Sequence, residues 1–88
     1  MMIFLDGRFL TDKAAAHDHL AKRLELPAWY GRNLDALYDL LTGHLRPCHI
    51  VVIHKNELLA QLGGYGESLL ETLRDAAEAV AGMELTVY

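Results

Sequence analysis

Apolar and polar residues alternate along the chain in blocks whose spacing predicts three strands separated by pairs of helices. Short apolar runs mark the strands, at residues 2–5, 49–53 and 83–88. The middle run has four consecutive β-branched residues and no alternation, which is typical of a parallel strand buried on both faces. Helical spacing of apolar residues fills the intervals, ending near residues 24, 41, 62 and 81. This order predicts an α/β fold whose parallel three-stranded sheet is joined by right-handed crossovers.

Turn and capping residues set the expected ends of these helices. Asn33 has a side-chain oxygen that can accept from a free backbone N–H of the first helical turn, so it is predicted to be an N-cap. Thr11 or Asp12 and Asn56 are predicted to cap two other helices, and Gly43 is expected to end its helix in the left-handed conformation. The inward-facing apolar positions are expected to form the core: Ile3, Leu5, Leu20, Leu24, Leu34, Leu37, Leu41, Val51, Ile53, Leu69, Leu73 and Leu85.

The helix that follows Asn33 is predicted to carry an acidic and aromatic stripe opposite its apolar one. The stripe repeats at i, i+3, i+4 and i+7 and consists of Asp35, Tyr38, Asp39 and Thr42. Asp35 and Asp39 are like charges one turn apart, which costs an isolated helix about 0.2–0.5 kcal/mol, and no Lys or Arg of the helix neutralises them. Two interpretations are open from this pattern: a solvated helix face, or a surface that binds a partner.

Aromatic residues and a second acidic line favour the binding surface. Trp29 and Tyr30 lie just before the cap, and aromatic side chains beside unpaired charge are more typical of protein interfaces than of solvated surfaces. On the last predicted helix, Glu71, Asp75 and Glu78 recur at i, i+4 and i+7, next to one arginine that tempers their charge. A solvated face is the alternative for this line as well. If Asp75 or Glu78 lies beside the first stripe, the two helices form one negative patch.

Length and composition restrict the class of protein. The 88 residues predict one small domain over 1–88, and the net charge of −4 disfavours a nucleic-acid-binding protein and is compatible with a basic partner. No apolar run reaches the roughly 20 residues that a membrane helix needs, and no secretory signal is recognised. The single cysteine, Cys48, rules out an intramolecular disulfide and agrees with a reducing compartment, so we expect a cytoplasmic protein.

No motif predicts a catalytic centre, a cofactor or a metal site. The five histidines lack metal-ligand spacing such as H-E-x-x-H, and His17 and His19 lie about 200° apart around a helix. Cys48 and His49 are adjacent on a strand and point to opposite faces, which argues against a nucleophile–base pair. Gly63-Gly64-Tyr65-Gly66 precedes a helix as a phosphate loop does, but it lacks the lysine of such loops.

One stretch resembles the signature of a known family. Residues 26–43 read Leu-Pro-x-Trp-Tyr-Gly-x-Asn-Leu-Asp-Ala-Leu-Tyr-Asp-x-Leu-Thr-Gly, which is similar to the barstar family of intracellular inhibitors of the ribonuclease barnase. The motif is long, and chain length and element order agree over essentially the whole sequence. The resemblance implies a parallel sheet in the order 1-2-3 with four helices. It also implies that the second helix and the loop before it plug the active-site cleft of a secreted ribonuclease.

The resemblance implies acidic and aromatic partner-binding residues. Asp39 matches the family's central carboxylate, which occupies the place of an RNA phosphate, and Asp35 matches its neighbour on the same helix. Trp29 stands where the family usually has a tyrosine, and Tyr38 replaces a more typical tryptophan. His44 replaces another aromatic contact residue.

Further contacts are implied at the helix ends and on the last helix. Asn33, Thr42 and Gly43 match polar contacts at the two ends of the second helix. The acidic contact of the last helix aligns with Asp75 or, one turn further on, with Glu78.

The leading hypothesis is therefore a monomeric, non-enzymatic inhibitor of a basic extracellular ribonuclease, which protects the cell that makes it. Arg32 stands where the family usually has an acidic residue, so the patch is expected to be weaker or aimed at a different ribonuclease. An immunity-type partner of another basic toxin enzyme is the alternative among binding proteins. A small hydrolase with Asp35 and Asp39 as paired carboxylates is the alternative from another class, although a convex helix face would offer no pocket to desolvate them.

Overall fold

The parallel sheet predicted from the sequence is the centre of the fold. In the computed structural model, which describes all 88 residues, the strands pair in the order β1-β2-β3 and both neighbouring pairs are parallel. Their bounds are Met2–Asp6 for β1, His49–Ile53 for β2 and Glu84–Val87 for β3. The register places Leu5 opposite Val52, and Val52 opposite Val87. The strand order and direction are confirmed.

Two helices fill each connection between strands. The bounds are Lys13–Arg23 for α1, Leu34–Gly43 for α2, Lys55–Leu62 for α3 and Gly64–Ala79 for α4. A short 3-10 turn, Gly7–Phe9, links β1 to α1. The predicted α/β class with four helices is confirmed. None of the helices combines the length and the apolar character needed to cross a bilayer.

Side-chain caps fix the starts of the first two helices as predicted. The Asp12 carboxylate accepts a hydrogen bond from the Ala15 N–H at 2.8 Å, and the Asn33 amide oxygen accepts one from the Ala36 N–H at 2.7 Å. Each such cap contributes about 1 kcal/mol. The Asn33 cap also fixes where the chain turns from the preceding loop into α2.

The second pair of helices begins earlier than predicted. α3 starts one residue before Asn56, so the predicted Asn56 cap is wrong. His54 takes the N-cap position with a left-handed φ of 58°, and its Nδ1 lies 2.9 Å from Oε2 of Glu57 in the first turn. α4 starts at Gly64, because the turn between the two helices needs only Gly63, whose φ is 59°.

The helices cover one face of the sheet. Leu5, Ile50 and Val52 point to that face and are buried together with leucines from all four helices. Met2 and Phe4 point to the other face and are 55% and 43% exposed. Because a fully buried leucine contributes about 1.5–3 kcal/mol, this one-sided core is the main source of stability.

The predicted core is largely correct, with exceptions at the sheet margins. Val51 is buried like its neighbours, so the middle of β2 is buried on both faces as predicted. The predicted core nevertheless took the wrong face of β2, because Ile50 and Val52 belong to the core whereas Val51 and Ile53 point to the opposite face of the sheet. Four predicted core residues are only half-buried: Ile3, Leu34, Ile53 and Leu85. Ile3 and Leu85 belong to the edge strands, which have a sheet neighbour on one side only. Leu10, Tyr30 and Leu58 are buried without having been predicted, since their partners come from distant parts of the chain.

Candidate protein-binding surface

An open cleft lies between α2 and the loop that precedes it. Its volume is about 460 Å³. Trp29 and Gly31 line it from the loop, and His44 lines it from the residue after α2. The rest of the lining comes from α2 itself: Ala36, Asp39, Leu40 and Gly43. We call these seven residues the α2 cleft.

Two aromatic rings form one end of the α2 cleft. Trp29 is 70% exposed, and its indole meets the His44 imidazole edge-on, with ring centroids 5.9 Å apart and planes at 78°. The fold thus brings together Trp29, Asp39, Gly43 and His44, four residues predicted to bind a partner. An indole this exposed offers a large apolar surface with one N–H donor to an incoming protein.

The acidic face of α2 carries charge that the protein does not neutralise. Asp35 and Asp39 are exposed and form no ion pair or side-chain hydrogen bond. Arg32, the nearest cation in the sequence, instead contacts α1, where it pairs with Asp18 and donates to the Ala14 carbonyl at 3.2 Å. Two carboxylates one turn apart therefore present their negative charge to solvent.

The side chains of two other predicted site residues have structural partners of their own. Asn33 uses its amide oxygen for the α2 cap and its amide N–H₂ for the Gly31 carbonyl at 3.3 Å. The Thr42 hydroxyl donates to the Tyr38 carbonyl at 2.8 Å, within the helix. Tyr38 and Thr42 are half-buried, so the predicted stripe is fully exposed only at its carboxylates.

The second acidic line lies outside the α2 cleft. Asp75 and Glu78 are exposed on α4 and neither lines the cleft. Both residues belong to a helix that packs directly against α2.

The backbone conformation of Gly43 differs from the predicted one. Gly43 lies in the last turn of α2, and only Gly63 and Gly82 among the glycines have positive φ, so the predicted left-handed role is wrong. The helix continues through Gly43 to a C-cap at His44, whose N–H bonds to the Leu40 carbonyl. A Cβ at Gly43 would meet no atom within 4 Å. No contact within the protein therefore requires a glycine here.

The buried His17 of α1 contacts the loop that precedes α2. This contact could not be inferred from the sequence. The Tyr30 hydroxyl lies 2.5 Å from Nδ1 of His17 on α1, and the Tyr65 hydroxyl lies 2.6 Å from Nε2 on the other side of the same ring. Burial raises the pKa of Tyr30 to about 12 and lowers the pKa of His17. Tyr65 is 48 residues from His17, so only the fold shows the contact.

A second cleft lies elsewhere, between β1 and α1. It has a volume of about 640 Å³, and its apolar lining is Phe4, Phe9, Ala15 and Ile53. None of the predicted site residues contributes to it. No group of three or more His, Cys, Asp or Glu side chains converges in a way that could hold a metal ion.

Comparison with known proteins identifies the family of this chain. The family model described as "Barstar (barnase inhibitor)" matches residues 1–88. A protein of Bacillus subtilis (strain 168) named "Putative ribonuclease inhibitor YrdF" is 39% identical over 77 residues, which covers 86% of this chain and 85% of the relative. The exposed Trp29, the Asn33 cap and the unpaired carboxylates of α2 all lie within the motif that carries the resemblance. The chain belongs to the barstar family.

Proposed function

We propose that this protein inhibits a secreted, basic ribonuclease of the barnase type by covering its active-site cleft. The observation that carries the proposal is the pair of carboxylates, Asp35 and Asp39, exposed and unpaired beside the exposed Trp29. The family description and the name of the Bacillus subtilis relative support the same role.

Charge complementarity explains why such a surface suits a ribonuclease. A cleft that binds polyanionic RNA is positively charged, and the carboxylates of α2 take the places of RNA phosphates. Asp35 and Asp39 are held on a rigid helix, so little conformational entropy is lost when they bind. Opposite charge also accelerates the encounter and excludes acidic competitors.

The proposed interface combines these carboxylates with neighbouring aromatic, polar and acidic groups. Its residues are Trp29, Asn33, Asp35, Tyr38, Asp39, Thr42, Gly43, His44, Asp75 and Glu78. The α2 cleft receives an apolar or cationic side chain of the enzyme, and Gly43 allows its backbone to approach closely. The protein acts as a monomer in the cytoplasm of the producing cell and performs no catalysis itself.

A titration against a panel of secreted bacterial ribonucleases tests this proposal. We expect the activity of a susceptible ribonuclease to fall linearly and to vanish at one-to-one stoichiometry. Asp39→Asn should abolish or strongly weaken the inhibition, whereas Glu25→Gln should inhibit as the wild type does. Glu25 is exposed and unpaired, so this control removes the same charge outside the proposed interface. A panel without one inhibited ribonuclease would contradict the proposal.

Two alternatives predict different outcomes in the same experiment. An immunity-type partner of another basic toxin would leave every ribonuclease active and inhibit a different basic enzyme, such as a deoxyribonuclease. A hydrolase would show turnover by the purified protein itself, dependent on both Asp35 and Asp39. Although a cleft adjoins Asp39, contrary to the convex face expected from the sequence, it is open and both carboxylates stay exposed. This exposure disfavours the hydrolase.

A further inference from the structure

We propose that Arg32 and Asp18 form a clamp that orients the loop before α2 and keeps a cation away from the acidic face. The effect on partner binding rests on the proposed function, whereas the effect on the loop does not. Arg32 is thus a positioning residue of the inhibitor, although its charge alone would make it an unfavourable neighbour for a basic enzyme.

The loop alternates between two sets of contacts. Trp29 and Gly31 line the α2 cleft, whereas Tyr30 and Arg32 turn to α1. Tyr30 is buried and reaches His17, and Arg32 reaches the next residue of α1. Both attachments therefore fall on one turn of α1, and together they determine which way Trp29 points.

The Arg32 attachment has two parts and a conformational cost. Its guanidinium pairs with the Asp18 carboxylate and also donates to the Ala14 carbonyl, one turn earlier on α1. The Arg32 backbone is left-handed, with φ of 56°, which L-residues adopt at a cost in free energy. The contacts with α1 offset this cost and deliver the chain into the extended conformation of the Asn33 cap.

The clamp also decides where the positive charge of Arg32 acts. Arg32 precedes Asp35 by only three residues in the sequence, so a released guanidinium would stay near the acidic face and neutralise part of it. Paired with Asp18, its charge is compensated on the α1 side. The two side chains are 45% and 70% exposed, and such surface pairs stabilise a fold very little. Hence variants of the clamp should fold normally and differ in loop order and binding.

Trp29 reports on the clamp directly, because it is the only tryptophan of the chain. Time-resolved anisotropy and acrylamide quenching of the free protein should show a more mobile indole in Asp18→Asn and in Arg32→Gln. The double variant should be no more mobile than either single one, since all three break the same pair. Glu25→Gln should match the wild type. An unchanged Trp29 in both single variants, with unchanged unfolding midpoints, would overturn the clamp.

Binding kinetics with an inhibited ribonuclease separate orientation from charge. Both single variants should dissociate about two- to five-fold faster. The association rate should fall in Asp18→Asn, because the positive charge of Arg32 is left unpaired. It should rise in Arg32→Gln, because that positive charge is removed. Changes in association alone, without faster dissociation, would leave only a charge effect and overturn the positioning role. If no ribonuclease is inhibited by the wild type, the proposed function fails, and the fluorescence of Trp29 still decides whether the clamp exists.

Discussion

Among the exposed carboxylates of α2, Asp39 is the one that lines the cleft. It shares the α2 cleft with Trp29 and His44, whereas Asp35 lies one turn nearer the start of the helix. A carboxylate that is desolvated by a partner and paired with its cations contributes far more than one left at the rim. The two aspartates are therefore expected to differ in their effect on binding although they are alike in sequence.

Asp39→Ala should weaken binding to the cognate ribonuclease by at least about 2 kcal/mol, or roughly 30-fold in Kd. Stability should change by only a few tenths of a kcal/mol, and in the favourable direction, because a like charge is removed from the helix. Asp35→Ala should change affinity and stability in the same directions as Asp39→Ala, with a smaller effect on affinity. Kd measurements combined with urea unfolding test both. Normal binding by Asp39→Ala would remove it from the interface.

His17 is expected to make the stability of the protein depend on pH. Burial, with a smaller effect of Arg32, lowers the pKa of His17 below its ordinary 6.5. The unfolded chain then binds the proton more tightly, so the free energy of unfolding falls as the pH drops below about 6.5, by at most about 1.4 kcal/mol per pH unit. Above that pH the stabilisation is complete. Urea unfolding between pH 5 and 8 measures the slope, and His17→Gln should flatten it.

His19 provides the matched control for that experiment. Burial also lowers its pKa, and its Nε2 accepts a hydrogen bond from the Asp6 N–H at 3.1 Å, which requires the neutral ring. His19→Gln should therefore reduce the slope of the unfolding free energy against pH by the contribution of His19 alone. The contribution of His17 should remain. A slope as steep in His17→Gln as in the wild type would contradict the role assigned to His17.

Helix α2 lies between the core and the proposed binding surface. Leu37 and Leu41 are fully buried on one side, and Asp35 and Asp39 are exposed on the other. The Asn33 cap fixes the start of the helix, and its end passes through Gly43 without a left-handed turn. The proposed binding groups thus lie on a helix whose position is set by its buried face.

Gly43→Ala should separate stability from binding. Alanine is favoured over glycine in a helix by up to about 1 kcal/mol, and the added Cβ meets nothing within the protein, so stability should be unchanged or higher. The same methyl group would stand between the α2 cleft and a closely packed partner, so affinity should fall. Thermal unfolding and Kd measured on one preparation test both signs. Unchanged affinity would place Gly43 outside the contact surface.

The molecule as a whole distributes its charge unevenly. The net charge is −4, yet Lys22 and Arg23 on α1 have no carboxylate partner, while α2 carries unpaired carboxylates. We expect a basic enzyme to be attracted in a preferred orientation, with α2 towards it. Such steering acts over roughly the Debye length and is sensitive to salt.

Association with the ribonuclease should consequently slow as salt is added, while dissociation changes less. The Debye length falls from about 10 Å at 0.1 M to about 3 Å at 1 M, which screens the long-range attraction and leaves short contacts largely intact. Stopped-flow association rates across this range measure the effect. An association rate that is independent of salt would argue for a solvated, non-binding acidic face.

Local patterns in the chain predicted every strand and helix, because caps, β-branched runs and helical spacing act between near neighbours. Asn33, the β2 run and the two carboxylates of the acidic stripe behave as their local chemistry indicates. The end of α2 at Gly43 and the start of α3 near Asn56 were less predictable. Both residue types are compatible with several backbone conformations at a helix end.

Only the tertiary structure decided how the loop before α2 is held and where its charges act. The His17–Tyr65 contact and the Arg32–Asp18 pair join residues that are far apart in sequence, and no local periodicity encodes such pairs. Arg32, which by sequence would weaken the acidic patch, is turned by the fold to the other side of the loop. Packing determines this orientation, because the buried Tyr30 leaves Trp29 and Gly31 facing the α2 cleft, and Arg32, the residue after Gly31, facing α1.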